Sequence, residues 1–448
     1  MTQGAEWKHL LLFALPLMAG NALQQLYNTA DGIIVGNFVG DTALAAVGAS
    51  APLTMLFVAL AIGLANGSAV VAGQYYGAGK VGEMRRTVST SIIMMVCLGA
   101  VFSVVGVVVA RPMMSGIMSV GEEYLEYAVS YFSIYAIGLV FQFAYNIFAA
   151  ILRALGDSKA TLYFLIISSV TNIVLDLLFV VVFRWSVAGA AIATVISQAV
   201  SAVCAAVYMM RKHEVLRFAK GEFRFHGASA VLTMKLALPS TLQQCVVSCG
   251  NLAMQRIINE FGQFTPGLMA GTTAGMRVES FILIPIFSMH ASLVAFTSQN
   301  VGAGNLDRVK RGRNSALAIG MAFCVCIAVI AFAFRGPLVS LFGVSPEGMK
   351  HGMTYLAILA PSLLIFCLNM TTTGVLNGAG DAKFGAFMTL SSFLLRCVIA
   401  YALAYLTDLG YLAVWVSQPM GWLYSVAVVW TRYYTGGWKK KSIAHVKT

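Results

Sequence analysis

Residues 74–80 read QYYGAGK, and residues 299–305 read QNVGAGN, a return at an offset of 225. LRALGDSKA at 152–160 comes back as LNGAGDAKF at 376–384, an offset of 224. Pro16 in FALPL and Pro239 in LALPS stand 223 apart. Offsets this close hold one register across the whole half, so the chain is a single unit written twice. The glycines do not form a phosphate cradle. Five residues separate Gly73 from Gly79, and Val81 follows Lys80, whereas a P-loop needs four and then Ser or Thr. Asn305 replaces Lys80 in the second copy, and a tight turn at a helix end accounts for both.

Between these landmarks the chain is apolar. Of its 448 residues 59% are hydrophobic and 10% charged, with a mean hydropathy of +0.81; a soluble domain carries roughly 25% charged residues. Runs long enough to cross a bilayer, about 17–25 residues or more, fall at 10–37, 44–73, 87–110, 125–152, 160–183, 187–210, 231–259, 267–299, 314–334, 351–377, 384–406 and 410–433. The first is led by Lys8 alone, overruns the ~7–15 apolar residues of a signal peptide and lacks a nearby small-residue cleavage site, so it reads as a retained helix. The pattern predicts an all-α integral membrane protein with twelve transmembrane helices in two six-helix bundles. Six helices per half make the repeat parallel, about an axis along the membrane normal. The expected organisation is an N-terminal lobe at 1–210, a basic cytoplasmic linker at 211–230, a C-terminal lobe at 231–434 and a basic cytoplasmic tail at 435–448. No stretch remains for a soluble catalytic domain, and no enzyme activity is expected.

The net charge of +12 reports topology and not nucleic-acid binding. With both termini in the cytoplasm, external loops keep only Arg111, Arg184, Arg335 and Lys350, and helices hold Arg256, Arg277 and Arg396. The remaining Lys and Arg gather on the cytoplasmic side, as the positive-inside rule requires. The expected location is the cell membrane. All eight cysteines fall in apolar segments, where a free thiol packs as a small hydrophobe.

Charged and amide groups inside the spans are the candidates for function. Asn21, Gln24, Asn28 and Asp31 follow spacings of three, four and three, which gathers them on one helix face. An ionised Asp31 at that depth costs about 2.5–3.5 kcal/mol or more. The fifth segment carries Ser168, Asn172 and Asp176 at i, i+4 and i+8, and the sixth carries Thr194. If segments one, five and six pack together, two carboxylates, an amide and a hydroxyl converge. Such oxygen ligands suit a hard cation such as sodium, held by Asp31 and Asp176, or the carboxyls take protons. Hydrogen-bonding glue between helices is the structural alternative for Asn172 and Thr194.

The second half differs. Met254 aligns with Asp31, and Arg396 falls within a residue of the position matching Asn172, so a cation site belongs to the first half. The opening segment of the second half keeps Gln244, Ser248, Asn251, Gln255 and Asn259 but no acid. Glu279 and His290 lie on one face of the next segment. Glu279 reads either as a proton or cationic-substrate site or as the partner of Arg396 or Arg256, and His290 as packing. Met254, Gln255 and Glu279 join Asn21, Gln24 and Asn28 as residues expected to line a substrate cavity.

The run LPLMAGNALQQLYNTADGIIVGNFVGDTALAAVGAS, the repeated Q-x-x-GAG turns and the duplicated six-segment halves resemble the multidrug and toxic compound extrusion (MATE) transporters across essentially the whole chain. Within that family the chain is similar to the branch with an essential Asp on the first helix, where Asp, Asn, Asp and Thr form a cation site; Asp31, Asn172, Asp176 and Thr194 match those positions. The other branch relies on acids of the second half, including one on the tenth helix, and here that helix offers Asn369, Asn377 and Thr371–Thr373. The resemblance implies alternating access, with protons or sodium ions entering as small, mostly cationic organic compounds leave. Pro16 matches a proline associated with bending of the first helix. No cofactor beyond the coupling ion is implied, the lipid bilayer is the one macroscopic partner, and a monomer is expected. The main alternative is a lipid-linked oligosaccharide or lipid flippase of the same superfamily, which calls for a cavity rich in Arg and Lys. An intramembrane hydrolase using Asp31 and Asp176 would leave the duplication unexplained.

Overall fold

In a computed structural model, residues 1–118, 121–219 and 221–443 are described. Among them the secondary structure is helical, without strands. The first half comprises α1 (Glu6–Phe38), α2 (Asp41–Gly77), α3 (Val81–Pro112), α4 (Glu122–Ile137), α5 (Leu139–Ala154), α6 (Ser158–Asp176) and α7 (Ser186–Lys212). The second comprises α8 (Gly227–Gly262), α9 (Leu268–Ile282), α10 (Ile284–Gly302), α11 (Leu306–Ala333), the short α12 (Arg335–Ser340), α13 (Pro346–Gly378), α14 (Ala382–Leu406) and α15 (Leu412–Tyr434). Among the described residues ten helical stretches are long and apolar enough to span a membrane, and α4 with α5, bent by 48° at Gly138, makes an eleventh if taken as one span. The twelfth long helix is α8, with 36 residues. Its Gln, Asn and charged residues lower its hydropathy below that of its counterparts. The protein is a multi-pass membrane protein.

The repeated glycine motifs are helix stops. Gly79 and Gly304 have φ of 71° and 76°, a left-handed conformation that glycine adopts without steric cost. The following amides of Lys80 and Asn305 then turn back to the carbonyls of Tyr75 and Asn300, at 3.0 and 2.8 Å. The other repeated motif makes the same turn at Gly156 and Gly380, and each time an aspartate follows. Asp157 accepts from the Ala160 amide at 3.1 Å, the Tyr208 hydroxyl at 3.0 Å and His213 Nε2 at 3.1 Å. Asp381 accepts from Arg432 Nε at 2.8 Å. In both halves the acid pins the end of the sixth span to the start of the fifth.

The chain divides into two compact units: an N-terminal unit of Ala19–Cys245, and a C-terminal unit of Val246 onward together with Met1–Met18. These boundaries differ from lobes at 1–210 and 231–434, because they cut through α1 and α8. Each opening helix therefore begins in one unit and continues in the other. Pro16 and Pro239 lie inside these helices, just before the boundary; a proline there has no N–H for the carbonyl four residues back. Within the N-terminal unit, Gly63 and Gly67 of α2 bring the first half of α8 so close that a Cβ on either would stand 2.3 Å from the Cα of Thr241 or Ala237. Within the C-terminal unit, Leu10 and Ala14 of α1 join Met289, Leu293 and Phe296 in an apolar core. There the Ser292 hydroxyl donates to the Leu10 carbonyl at 3.0 Å.

An arginine secures each lead-in segment. Buried Arg308 on α11 donates to the carbonyls of Met1, Gln3 and Gly4 and to Glu6, at 2.7–3.3 Å. Arg85 on α3 donates to the Val215 carbonyl at 3.0 Å and to Glu222 at 3.3 Å. Ser89 and Thr90 bond the backbone of Arg224 and His226 beside it. The linker is thus folded onto α3, and residues 444–448 of the basic tail lie outside the described residues.

Two stability predictions follow from this packing. Burial pushes the Asp157 carboxyl up, but the bonds from His213, Ala160 and Tyr208 outweigh it and hold the group below its usual range. The folded form then binds its proton less readily than the unfolded form. This stabilisation is complete above a pH of about 4 and fades as pH falls through the lowered value. Asp157→Ala is expected to cost about 1–3 kcal/mol at neutral pH, read as a fall in melting temperature in detergent; an unchanged melting curve would contradict the anchoring role. Gly67→Ala forces a backbone clash and is expected to cost about 1–3 kcal/mol, with a matching loss of folded protein in fluorescence size-exclusion profiles.

Candidate functional site

The N-terminal unit collects the predicted polar residues unevenly. Asn172 is 2% exposed and Asp176 0%. Neither amide atom of Asn172 and neither carboxylate oxygen of Asp176 has a hydrogen-bond partner, and Oδ1 of Asp31 is likewise buried and unpartnered. Asp31 and Asp176 lie within Coulomb range of each other. The phenols of Tyr27 and Tyr131 lie within range of both acids. Asp176 is the last α-helical residue of α6, and Leu177–Val182 continue as a π-helix, a distortion that recurs at functional sites. Beyond the acids, Ile34, Val35, Tyr131, Val180, Val187 and Ala190 form a buried apolar cluster.

The other candidates are placed differently. The half-buried Thr194 hydroxyl donates back to the Ala190 carbonyl at 3.0 Å, which commits its proton to its own helix and leaves only lone pairs for a ligand. Ser168 bonds the Ser197 carbonyl at 3.4 Å. Gln24 and Asn28 are exposed; Gln24 bonds Tyr27, and the half-buried Asn21 is engaged in an interaction of its own. Tyr27 and Tyr131 were not singled out from the sequence. Tyr27 stands four residues before Asp31, so the same helical spacing would have found it. Tyr131 comes from α4 and reads as one aromatic among many.

In the C-terminal unit Met254 is buried and packs in the apolar core with Ile257, Ile258 and Leu268. Gln255 donates to Asn259 at 2.8 Å, and the side chain of Asn251 lies outside the described residues. Glu279 accepts from the Tyr355 hydroxyl and, at 2.9 Å, from Gln418 Nε2. Gln418 in turn accepts from Arg396 at 3.2 Å. The acid and the arginine are joined through an amide, not by a direct ion pair. His290 bonds the Met370 carbonyl at 2.9 Å and serves the packing of α10 on α13.

Among the described residues no group of three or more His, Cys, Asp and Glu side chains forms a metal cluster. The oxygens of Asp31, Asn172 and Asp176 are the set that could hold a proton or a hard monovalent cation. A duplicated all-helical membrane fold of this kind is that of transporters built from structural repeats. The MatE family model matches residues 16–178 and 239–402, and the chain belongs to the MATE family. It is 29% identical over 440 residues to the probable multidrug resistance protein YpnP of Bacillus subtilis, covering 98% of this chain and 97% of that one. It is 24% identical to an FAD transporter of Shewanella oneidensis, covering 78% and 77%. The fold matches the outward-facing structure of a multidrug resistance MATE family transporter with a TM-score of 0.90, at 24% identity and 98% coverage of both chains.

Removing one unpartnered carboxyl relieves a cost that the fold carries without a ligand. Asp176→Asn is expected to leave the melting temperature unchanged or raise it. Val180→Asp, which puts a third acid in the apolar cluster beyond the pair, should lower it. A marked loss of stability in Asp176→Asn would make the acid a structural element.

Proposed function

We propose that the protein exports small, mostly cationic organic compounds in exchange for protons or sodium ions, by alternating access across the cell membrane with both termini in the cytoplasm. The observation that carries this reading is the set of five buried polar atoms on Asp31, Asn172 and Asp176 that have no protein partner. Two carboxyls within Coulomb range and without donors call for a proton or a cation between them. Asp31 is the group that is neutralised on one side and released on the other, and Asp176 with Asn172 completes the binding set, with Thr194 contributing lone pairs. If ion and drug favour different conformations, the gradient does work on the drug. The two six-helix lobes act as a monomer, and Pro16 serves as a hinge in α1. The multidrug resistance naming of the Bacillus relative supports the substrate class. The flippase alternative has less support, because the buried unpartnered charged groups of the N-terminal unit are acids, where a pyrophosphate calls for a basic lining.

Transport in everted vesicles with sodium and proton gradients imposed separately tests this directly. Asp31→Asn is expected to insert and fold, yet to abolish gradient-driven efflux of a cationic dye. Asp176→Asn is expected to weaken coupling, and Asn172→Ala and Thr194→Ala to have milder effects. Normal efflux by well-expressed Asp31→Asn would refute the assignment.

A further inference from the structure

The C-terminal unit carries an excess of positive charge at one end of its spans. There α11 begins at Leu306 and α15 ends at Tyr434, and both are long and apolar enough to cross a membrane. A short 3-10 helix, Gly437–Lys441, follows α15. Trp438 fixes it: the indole is 0% exposed, stacks on Tyr433 at 5.7 Å and donates to the Tyr433 carbonyl at 3.1 Å. Lys439, Lys440 and Lys441 are therefore held at the surface. Lys439 shares the neighbourhood of Asp307 with Lys310 and Arg311, which are also exposed.

The acids of this region are already engaged. Glu6 pairs with Arg308 and Arg311, Asp307 with Lys310, and Asp381 with Arg432. Among the described residues Arg313 and the three lysines of the 3-10 helix make no ion pair. Arg313 is the telling one, because it is 5% exposed and a buried charge is ordinarily paired. Its guanidinium lies 5.1 Å from the ring of Trp430, 4.8 Å from that of Tyr433 and 5.9 Å from that of Tyr434. It donates to Asn314 and Thr372 at 3.3 Å each, and its Nε is buried without a partner. Ring faces attract a cation but bring no net negative charge. Tyr433 lies within Coulomb range of both Arg313 and Lys310, so the buried and the exposed cations belong to one patch.

We propose that this patch binds the phosphate headgroup of an anionic phospholipid, with Lys310 and Lys439 in contact with it and Arg313 supplying unbalanced charge from behind the rings. Basic clusters at the ends of membrane spans attract such headgroups. The aromatic rim fits the same partner: Tyr434 is 67% exposed and Trp430 half-buried, and Tyr and Trp favour the level where acyl chains meet headgroups. A free phosphate ion would use the lysines but gain nothing from the rim. The inference stands apart from the export reading and holds for either orientation of the chain.

The experiment titrates full-length protein in a neutral detergent with phosphatidylglycerol, phosphatidylcholine or inorganic phosphate, and counts bound lipid by native mass spectrometry beside a melting curve. Phosphatidylglycerol should be retained more tightly than phosphatidylcholine, and less so as salt is raised. The double variant Lys310→Gln with Lys439→Gln should weaken phosphatidylglycerol by roughly tenfold or more, at about fivefold for each charge removed. Arg313→Gln should weaken it too. Should that variant fold poorly, the surface double variant carries the test, since neither of its residues is buried. The control removes two exposed charges from the linker, Arg211→Gln with Lys212→Gln, and should have a smaller effect. An equal loss in the control would show attraction to basic surface in general and overturn the proposal. So would equal retention of the two lipids, or an unchanged affinity in the Lys310/Lys439 variant. Inorganic phosphate displacing phosphatidylglycerol at equal concentration would show a free-anion site and overturn the assignment to lipid.

Discussion

Hydrocarbon offers no hydrogen bonds, and every polar group placed in it must find its partner within the protein. That constraint organises both halves of this chain. Helix stops fall at repeated glycine turns where carbonyls are reclaimed by following amides. Asp157 and Asp381 collect donors from the ends of the sixth spans, and Glu279 is capped by a phenol and an amide. Asp31, Asn172 and Asp176 depart from the rule together, in one unit, without a compensating donor. The fold thus partners Asp157, Asp381 and Glu279 and leaves the buried atoms of these three residues open.

The two units solve the same packing problem with different residues. Gly63 and Gly67 of α2 admit the backbone of α8 by having no side chain, whereas the matching positions on α10 are serines, and Ser292 holds α1 with a hydrogen bond. Tyr208 and His213 meet Asp157 where Arg432 meets Asp381. Divergence has gone furthest in the interior, where the N-terminal unit keeps its carboxyls open and the C-terminal unit ties its one central acid to Tyr355, Gln418 and, through Gln418, Arg396. An old symmetry thus carries two unlike chemistries.

Most of the architecture was legible in the sequence, because spanning length and repeat offset are properties read along the chain. Helical spacing also put Asp31 and Asp176 each on a polar stripe unsuited to lipid, and in the structure Oδ1 of Asp31 and both carboxylate oxygens of Asp176 are buried without partners. What the sequence hid depends on which helix meets which. The crossing of α1 and α8 between units has no periodic signature. The basic residues Arg85 and Arg308 read as topology markers, and their roles as clasps appear only when the lead-in segments fold onto them. Met254 reads from the sequence as one of several methionines that could line a cavity, and in the structure it packs in the apolar core. Gln418 lies in a segment where nothing along the chain distinguishes a linking amide from a lipid-facing one.

The clasp at Arg308 has a consequence for how the chain is made. Residues 1–18 belong with α10 and α11, whose sequence lies some three hundred residues later. At a synthesis rate of about 5–20 residues per second, the leading end of the first helix waits on the order of a quarter to a full minute before its partners leave the ribosome. During that time it must be held by the insertion machinery or by lipid. The N-terminal unit in turn is incomplete until residues 227–245 arrive to fill the groove beside Gly63 and Gly67. Neither half of the gene therefore encodes a closed folding unit. Each unit is completed by a segment that lies in the other half of the sequence.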